Sequence, residues 1–291
     1  MAWPLAHALA FGAPIAAQAQ EIKTDRFYEL ETKYLFGFTD GTDIGAEGEN
    51  EIELETSGAF IKRGGRYHAI EQEFEYENVP TQFWGNEFSA HFLSQQISNV
   101  QGLDNLSQTG FSGLSWKPKW LIIGRGPGNP IGLSLSVQPE WERLDGTSGA
   151  HSSNFSMETR LAADTELIPN MFYAAANLFY GPEITRSSGD SGWGHGSSFG
   201  ASVAAAYRVA PKVTLGGEAE YDFAYEGLGF NTFDGAALFV GPTLHIQFSP
   251  KIFLAAAWSV EVSGHASGDA GRLDLTNFER QRANLKMGFE F

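Results

Sequence analysis

Strict alternation between apolar and polar residues recurs in runs of 10 to 14 residues along this 291-residue chain. No other feature narrows the fold so far. From 51 to 61, Ile52, Leu54, Thr56, Gly58 and Phe60 alternate with Glu51, Glu53, Glu55 and Ser57. From 66 to 77, His68, Ile70, Gln72, Phe74 and Tyr76 alternate with Tyr67, Ala69, Glu71, Glu73, Glu75 and Glu77. Phe155, Met157, Leu161 and Leu167 oppose Glu158, Arg160, Asp164 and Glu166; Val213, Leu215, Tyr221 and Phe223 oppose Thr214, Glu218, Glu220 and Asp222. A helix would scatter such residues around its axis, whereas a strand sorts them onto two faces. Strands of soluble domains average ~5–6 residues, and a strand crossing a bilayer at ~45° needs about 9–11. The expected fold is all-β: an antiparallel transmembrane β-barrel rather than a soluble sandwich.

Composition removes several alternatives. Mean hydropathy is −0.21, and the longest apolar stretches, such as 253–260, fall far short of the ~20 residues of a spanning helix. The 34 glycines and 23 phenylalanines suit a β-rich chain. Cysteine is absent, which excludes thiol catalysis, thiolate metal sites and disulfides. A net charge of −16 argues against a nucleic-acid partner.

Residues 1–19 are uncharged, apolar or small and end in Ala17-Gln18-Ala19, the A-x-A pattern of a cleaved export signal, although the usual leading Lys or Arg is missing. Four similar turns start at Pro80, Pro169, Pro211 and Pro250, and a fifth spans Gly124 to Pro130. Longer Gly/Ser/Asp/Asn segments lie between them, at 96–109, 144–152, 183–196, 227–236 and 264–276. Short turns on one rim and longer loops on the other are the layout of outer-membrane barrels. Twelve strands follow, approximately 51–62, 66–78, 83–95, 110–122, 131–143, 154–168, 171–182, 198–209, 212–225, 237–248, 251–263 and 278–291. Residues 26–36 also alternate and would make a thirteenth. Single-chain barrels have even counts, so 20–48 is assigned as an N-terminal extension or lumen plug, and 49–291 as the barrel. Fourteen strands is the alternative.

The chain ends with Ala283, Leu285, Met287, Phe289 and Phe291 on one parity. This resembles the closing strand of bacterial outer-membrane β-barrels. The resemblance implies that Phe289 and Phe291 form the signal read by the barrel-assembly machinery, and that the chain resides among the lipids of a Gram-negative outer membrane. The hairpin spacing and Pro-centred turns further resemble uncharacterised proteobacterial barrels of the MetA-pathway phenol-degradation transporter-like type, from which no functional motif carries over.

With the apolar parity toward lipid, the polar parity lines the interior. Residues 21–78 carry 15 acidic and only 6 basic side chains. Glu51, Glu53, Glu55, Glu71, Glu73, Glu75 and Glu77 would crowd into the lumen from two neighbouring strands and need counter-charges, water or bound cations. Closure makes the last strand a neighbour of the first, so Glu51, Glu53 or Glu55 is expected to pair with Arg280 or Arg282; Lys286 shares their parity. Glu158, Arg160, Glu218, Glu220 and Asp222 complete the expected solute path, with Glu140, Glu142, Asp164, Glu166 and Arg208 as further interior candidates. Trp84, Trp120 and Trp141 fall near strand ends, where an interfacial girdle belongs.

The seven histidines form no H-x-x-x-H or H-x-H pair, so neither a structural metal nor a cofactor is expected. Asp40-Gly41-Thr42-Asp43-Ile44-Gly45 lacks the third acidic ligand of a calcium loop and reads better as a Gly-rich turn. No G-x-S-x-G elbow is present. The expected function is a channel or transporter passing small neutral or cationic solutes through an acidic lumen, without enzymatic chemistry. Two alternatives are a structural or adhesive barrel with a filled lumen, and an outer-membrane hydrolase in which Ser, His and an acid meet in space.

Overall fold

The computed structural model describes residues 30–126, 128–189 and 191–291; the expected export signal and residues 20–29 of the extension lie outside them. Twelve strands form one closed antiparallel barrel: β1 (Asn50–Phe60), β2 (Gly64–Thr81), β3 (Trp84–Val100), β4 (Leu106–Ile123), β5 (Ile131–Leu144), β6 (His151–Ile168), β7 (Phe172–Ser187), β8 (Gly194–Ala210), β9 (Val213–Glu226), β10 (Thr232–Ser249), β11 (Ile252–Ala266) and β12 (Gln281–Glu290). Each strand pairs with its sequence neighbours, and β12 returns to β1. The seam runs from Glu51 opposite Glu290 to Phe60 opposite Gln281, and the Phe291 amide donates to the Asn50 carbonyl. Closure leaves no unpaired edge, the condition for a sheet to sit in hydrocarbon.

The two faces have the polarity expected from the alternation. Ile52, Leu54, Phe74, Leu161, Val203, Leu215, Tyr221, Leu285, Met287, Phe289 and Phe291 are exposed on the outside, while Glu53, Glu75, Glu77, Asp164, Glu218 and Glu261 are buried inside. Aromatic side chains pair across the outer wall, as Phe88 with Trp116 and Phe60 with Trp258. Trp84 opposes Trp120 near one rim.

Most strands, though not β1 and β12, are longer and most connections shorter than the sequence suggested. The supposed long loops shrink to 101–105, 145–150, 188–193 and 227–231, with only 267–280 remaining extended. The reason is that ladders continue through polar residues: Gln95 opposes Gln108, and the Ser94 and Thr109 hydroxyls lie 2.9 Å apart. Backbone pairing does not require an apolar face once a strand has left the lipid.

The rim that carries the start of β1 and the end of β12 is called here the terminal rim, and the opposite one the far rim. At the far rim the 267–280 loop folds inward: Asp274 is fully buried, its amide donates to Glu261 at 2.6 Å, and the Lys62 ammonium donates to the carbonyls of Thr276, Asn277 and Phe278. Tyr67, Ala69, Leu93, Ile97, Val100 and Leu144 form an inward apolar cluster at this end.

Residues 30–49 make no strand, and 30–46 are buried or half-buried inside the barrel. The described part of the alternating run, 30–36, finds no edge to pair with in a closed ring, and both of its parities become buried: Leu30, Thr32, Lys33, Leu35 and Phe36 are all enclosed.

Candidate functional site

The β1–β2–β3 wall carries an unusual ladder. Antiparallel register sets Glu51 opposite Glu77, Glu53 opposite Glu75, and Glu55 opposite Glu73. On the next strand, Glu77 opposes Glu87. Like charges directly opposed across strands are destabilising, so four such pairs demand cations. Lys286 on β12 is one: its ammonium lies 2.9 Å from Glu55 and 3.3 Å from Glu53. Lys117 on β4 is another, 2.7 Å from Glu87. The third comes from the enclosed segment. Lys33 contacts Glu77 and stands 3.8 Å from Glu53 and 3.7 Å from Glu87. Burial works against a charged Lys33, but the Glu87, Glu53, Glu51 and Glu75 carboxylates outweigh it and hold the ammonium above the ordinary lysine range. Tyr34 beside it donates to Glu77 at 3.0 Å and stacks on Phe253.

The expected pairing across the seam is therefore corrected. Lys286, not Arg280 or Arg282, serves Glu53 and Glu55. Register places Lys286 opposite Glu55 but Arg282 opposite Ala59, several residues nearer the far rim. Arg282 instead spans the interior to Glu220 and Asp222 on β9, each at 2.7 Å, and contacts Glu279. Arg280 precedes β12, is exposed, and lines no part of the lumen. The other expected lining residues, Glu51, Glu53, Glu55, Glu71, Glu73, Glu75, Glu158, Arg160, Glu218, Glu220, Asp222, Arg282 and Lys286, are buried or half-buried on inward parities.

The enclosed segment is fastened on every side. Leu30, Leu35 and Phe36 pack against Tyr173, Ala175, Ala204 and Ala206 on the inner face of β7 and β8, and Ile44 packs against Val79 and Leu121. The amides of Phe38 and Thr39 donate to Glu218 at 2.8 and 3.1 Å. Asn177 exchanges two hydrogen bonds with the Asp40 backbone, and the Thr42 amide and hydroxyl donate to Asp164. Lys119 donates to the carbonyls of Gly41 and Asp43, and Arg125 joins Asp43 to Asp164 at 2.5 and 2.9 Å. At Gly37 a β-carbon would overlap the Glu218 carboxylate and the Ala257 methyl, so only glycine lets the segment approach the wall here. The 40–45 turn holds no calcium loop, because its carboxylates diverge: Asp40 faces Lys117 and Arg160, and Asp43 faces Arg125.

The segment divides the lumen unevenly. On its far side lies a cavity of about 320 Å³ lined by Phe38, Glu71, Leu93, Gly146, Glu279 and Arg282. A second, of about 210 Å³, is bounded by Phe38, Glu55, Glu73, Glu158, Arg160 and Lys286 among others. Phe38 borders both. Toward the terminal rim the space falls to about 30 Å³ around Lys33, Tyr34 and Lys119, and about 50 Å³ between Leu30, Glu49, Lys251 and Glu290.

One further constellation went unseen in the sequence. His91 on β3 has Nε2 at 3.0 Å from the Ser115 hydroxyl and Nδ1 at 3.3 Å from Glu71. Glu140 stands 3.7 Å from the same Nε2, and Gln138 donates to Ser115 at 3.4 Å. The five come from four adjacent strands, β2 to β5, and only the register brings them to one level. His245, by contrast, is buried against Phe253, and its Nδ1 has no hydrogen-bond partner among the described residues.

A family profile matches residues 29–291, a span that contains every described residue. The chain belongs to the family of unknown function DUF6662. The narrower resemblance to the MetA-pathway phenol-degradation transporter-like type is not confirmed by this match. No curated protein matches the chain by sequence. Among solved structures, this DUF6662 member is similar to the COG4313 outer membrane channel from Pseudomonas putida F1 (TM-score 0.56, 12% identity, covering 86% of this chain and 98% of that one). It is also similar to the translocator domain of the autotransporter NalP from Neisseria meningitidis (0.52, 13%, 86% and 91%). A third is the beta domain of the Bordetella autotransporter BrkA (0.51, 11%, 84% and 100%). At these identities the likeness is one of fold: a closed outer-membrane-type β-barrel.

Proposed function

We propose that this DUF6662 barrel is an outer-membrane channel for small neutral or cationic solutes, and that residues 30–49 are the plug that shuts it. The carrying observation is the source of the blockage. A segment outside the sheet narrows the lumen toward the terminal rim, while acid-lined cavities of about 320 Å³ toward the far rim and about 210 Å³ at mid-barrel, beside Glu75 and Glu87, stay open. A barrel filled for rigidity alone could have used its own strand side chains. Rings of inward carboxylates favour cations and disfavour anions. The outer-membrane location is supported by the outward apolar face and by the named channel among the structural neighbours. With β1 starting and β12 ending at the terminal rim, that rim faces the periplasm and the cavities open outward.

Planar-bilayer conductance tests the reading. The intact chain should be closed or open only briefly, with cation-selective steps when it does open. A variant lacking 30–48 that folds, shifts mobility on heating and still carries no current would overturn it, and would leave the filled structural barrel. Ser115, His91 and Glu71 give the hydrolase reading its one support. Ser115 is 8% exposed, which leaves little room for an acyl group. Ester turnover abolished by Ser115→Ala would establish that reading instead.

A further inference from the structure

The cross-strand glutamates converge closely. Carboxylate oxygens of Glu51, Glu53 and Glu77 all lie within 4.8 Å of one another, as do those of Glu75, Glu77 and Glu87. Oxygens on opposite sides of a calcium ion are separated by about twice the ~2.4 Å bond, so about 4.8 Å is the span such an ion needs. Acidic crowding by itself defines no site, but two observations point to a cation. Glu75 is 7% exposed, and its Oε1 has no hydrogen-bond partner among the described residues, although it lies in the second triad; both oxygens of Glu53, at 1% exposure, are likewise without hydrogen bonds. A cation already stands at the junction of the two triads, since Lys33 reaches Glu53, Glu77 and Glu87 together.

We propose that the pocket formed by Glu53, Glu75, Glu77 and Glu87 is a divalent-cation site of the calcium class, and that the Lys33 ammonium is its built-in occupant. Metal and lysine compete for the same oxygens. Seating the 30–49 segment excludes the ion, and the ion, once bound, removes the electrostatic reason for Lys33 to stay. All-carboxylate ligation on a wall of long, adjustable glutamates suits Ca²⁺ over Mg²⁺, which demands a tighter octahedron and keeps its waters. A site of this kind in a compartment outside the cytoplasm falls in the ~10⁻⁴–10⁻³ M range of extracellular calcium modules. The competition rests on the reading of 30–49 as a displaceable plug; the site itself does not.

The experiment is calorimetric titration of the full-length protein in detergent, stripped with chelator, using CaCl₂ against KCl of equal ionic strength. Lys33→Met keeps the bulk of the side chain and removes the charge. It should bind one Ca²⁺ per chain at least tenfold more tightly than the parent, and Lys33→Met with Glu77→Gln should lose that binding. Equal affinity in parent and Lys33→Met, or binding that survives Glu77→Gln, overturns the proposal. Should Lys33→Met fail to shift on heating, Lys33→Gln serves the same comparison. Calorimetry reads the ion without any current. Binding in a barrel that never conducts therefore sinks the channel and spares the site, while conduction without binding does the reverse.

Discussion

The two halves of the lumen are built from the same strands yet hold opposite contents. Toward the far rim, Glu71, Glu279 and Arg282 surround open space. Toward the terminal rim, Lys33, Tyr34 and Lys119 leave about 30 Å³. Wall chemistry alone does not make this difference, since the glutamate ladder runs from Glu51–Glu77 at the terminal end to Ser57–Glu71 farther up. What changes is the source of the counter-charge. The upper carboxylates meet cations of the wall itself, as Glu220 and Asp222 meet Arg282. The lower ones take part of theirs from a separate piece of chain. If 30–49 is the plug proposed above, that half of the barrel borrows its charge balance from a removable part.

The largest effect is expected from removing the borrowed part. Replacing 30–48 by a short Gly-Ser linker should convert a barrel that is closed most of the time into one with steady cation-selective current, measured in planar bilayers. Gly37→Val comes next. Its side chain would collide with Glu218 and Ala257, so the segment should seat poorly and openings should become frequent without becoming permanent. Lys286→Met acts on the wall rather than the segment. It strips Glu53 and Glu55 of their nearest wall cation, and breaking a buried pair of this kind should cost about 3 kcal/mol, read as a lower midpoint of urea unfolding in detergent.

The smallest effect concerns acid. Burial alone would raise the Asp40 carboxyl, but Lys117, Arg160 and Lys119 reverse this and hold it well below the ordinary carboxylate range. A depressed carboxyl contributes its stabilisation above the ordinary range and loses it only as pH falls through the depressed value. Asp40 should therefore keep its share of the seating from pH 7 down to about pH 4. Asp40→Asn should raise the open probability modestly and evenly over that interval, whereas a sharp rise near pH 5 that Asp40→Asn abolishes would contradict this assignment.

The strand count and the inside-out polarity were legible, because parity is a local property and a twelve-residue alternation has only one regular solution. What local pattern could not supply was register. Arg282 and Lys286 share a parity, and only the offset that sets Lys286 against Glu55 decides which one answers the glutamates. The same offset hid the Ser115–His91–Glu71 contact. Lys117 and Lys119 were readable as inward residues between Trp116 and Trp120, but nothing nearby in the sequence announced that they would hold Asp40 and the Gly41 carbonyl. Lys33 was the hardest case. It sits in an alternating run that imitates a strand, and only a ring already complete at twelve denies that run an edge.

Leu30 and Glu49, the two ends of the described part of the plug, border the same small crevice at the terminal rim, and the Gly48 amide donates to Val79 beside it. The stopper thus hangs as a bight of chain let down through one mouth, not as a thread drawn through both. On the proposed plug reading, moving it would part no rung of the wall. On that reading, a stiff, fully zipped cylinder would change state at the cost of the segment's own grip on the interior alone.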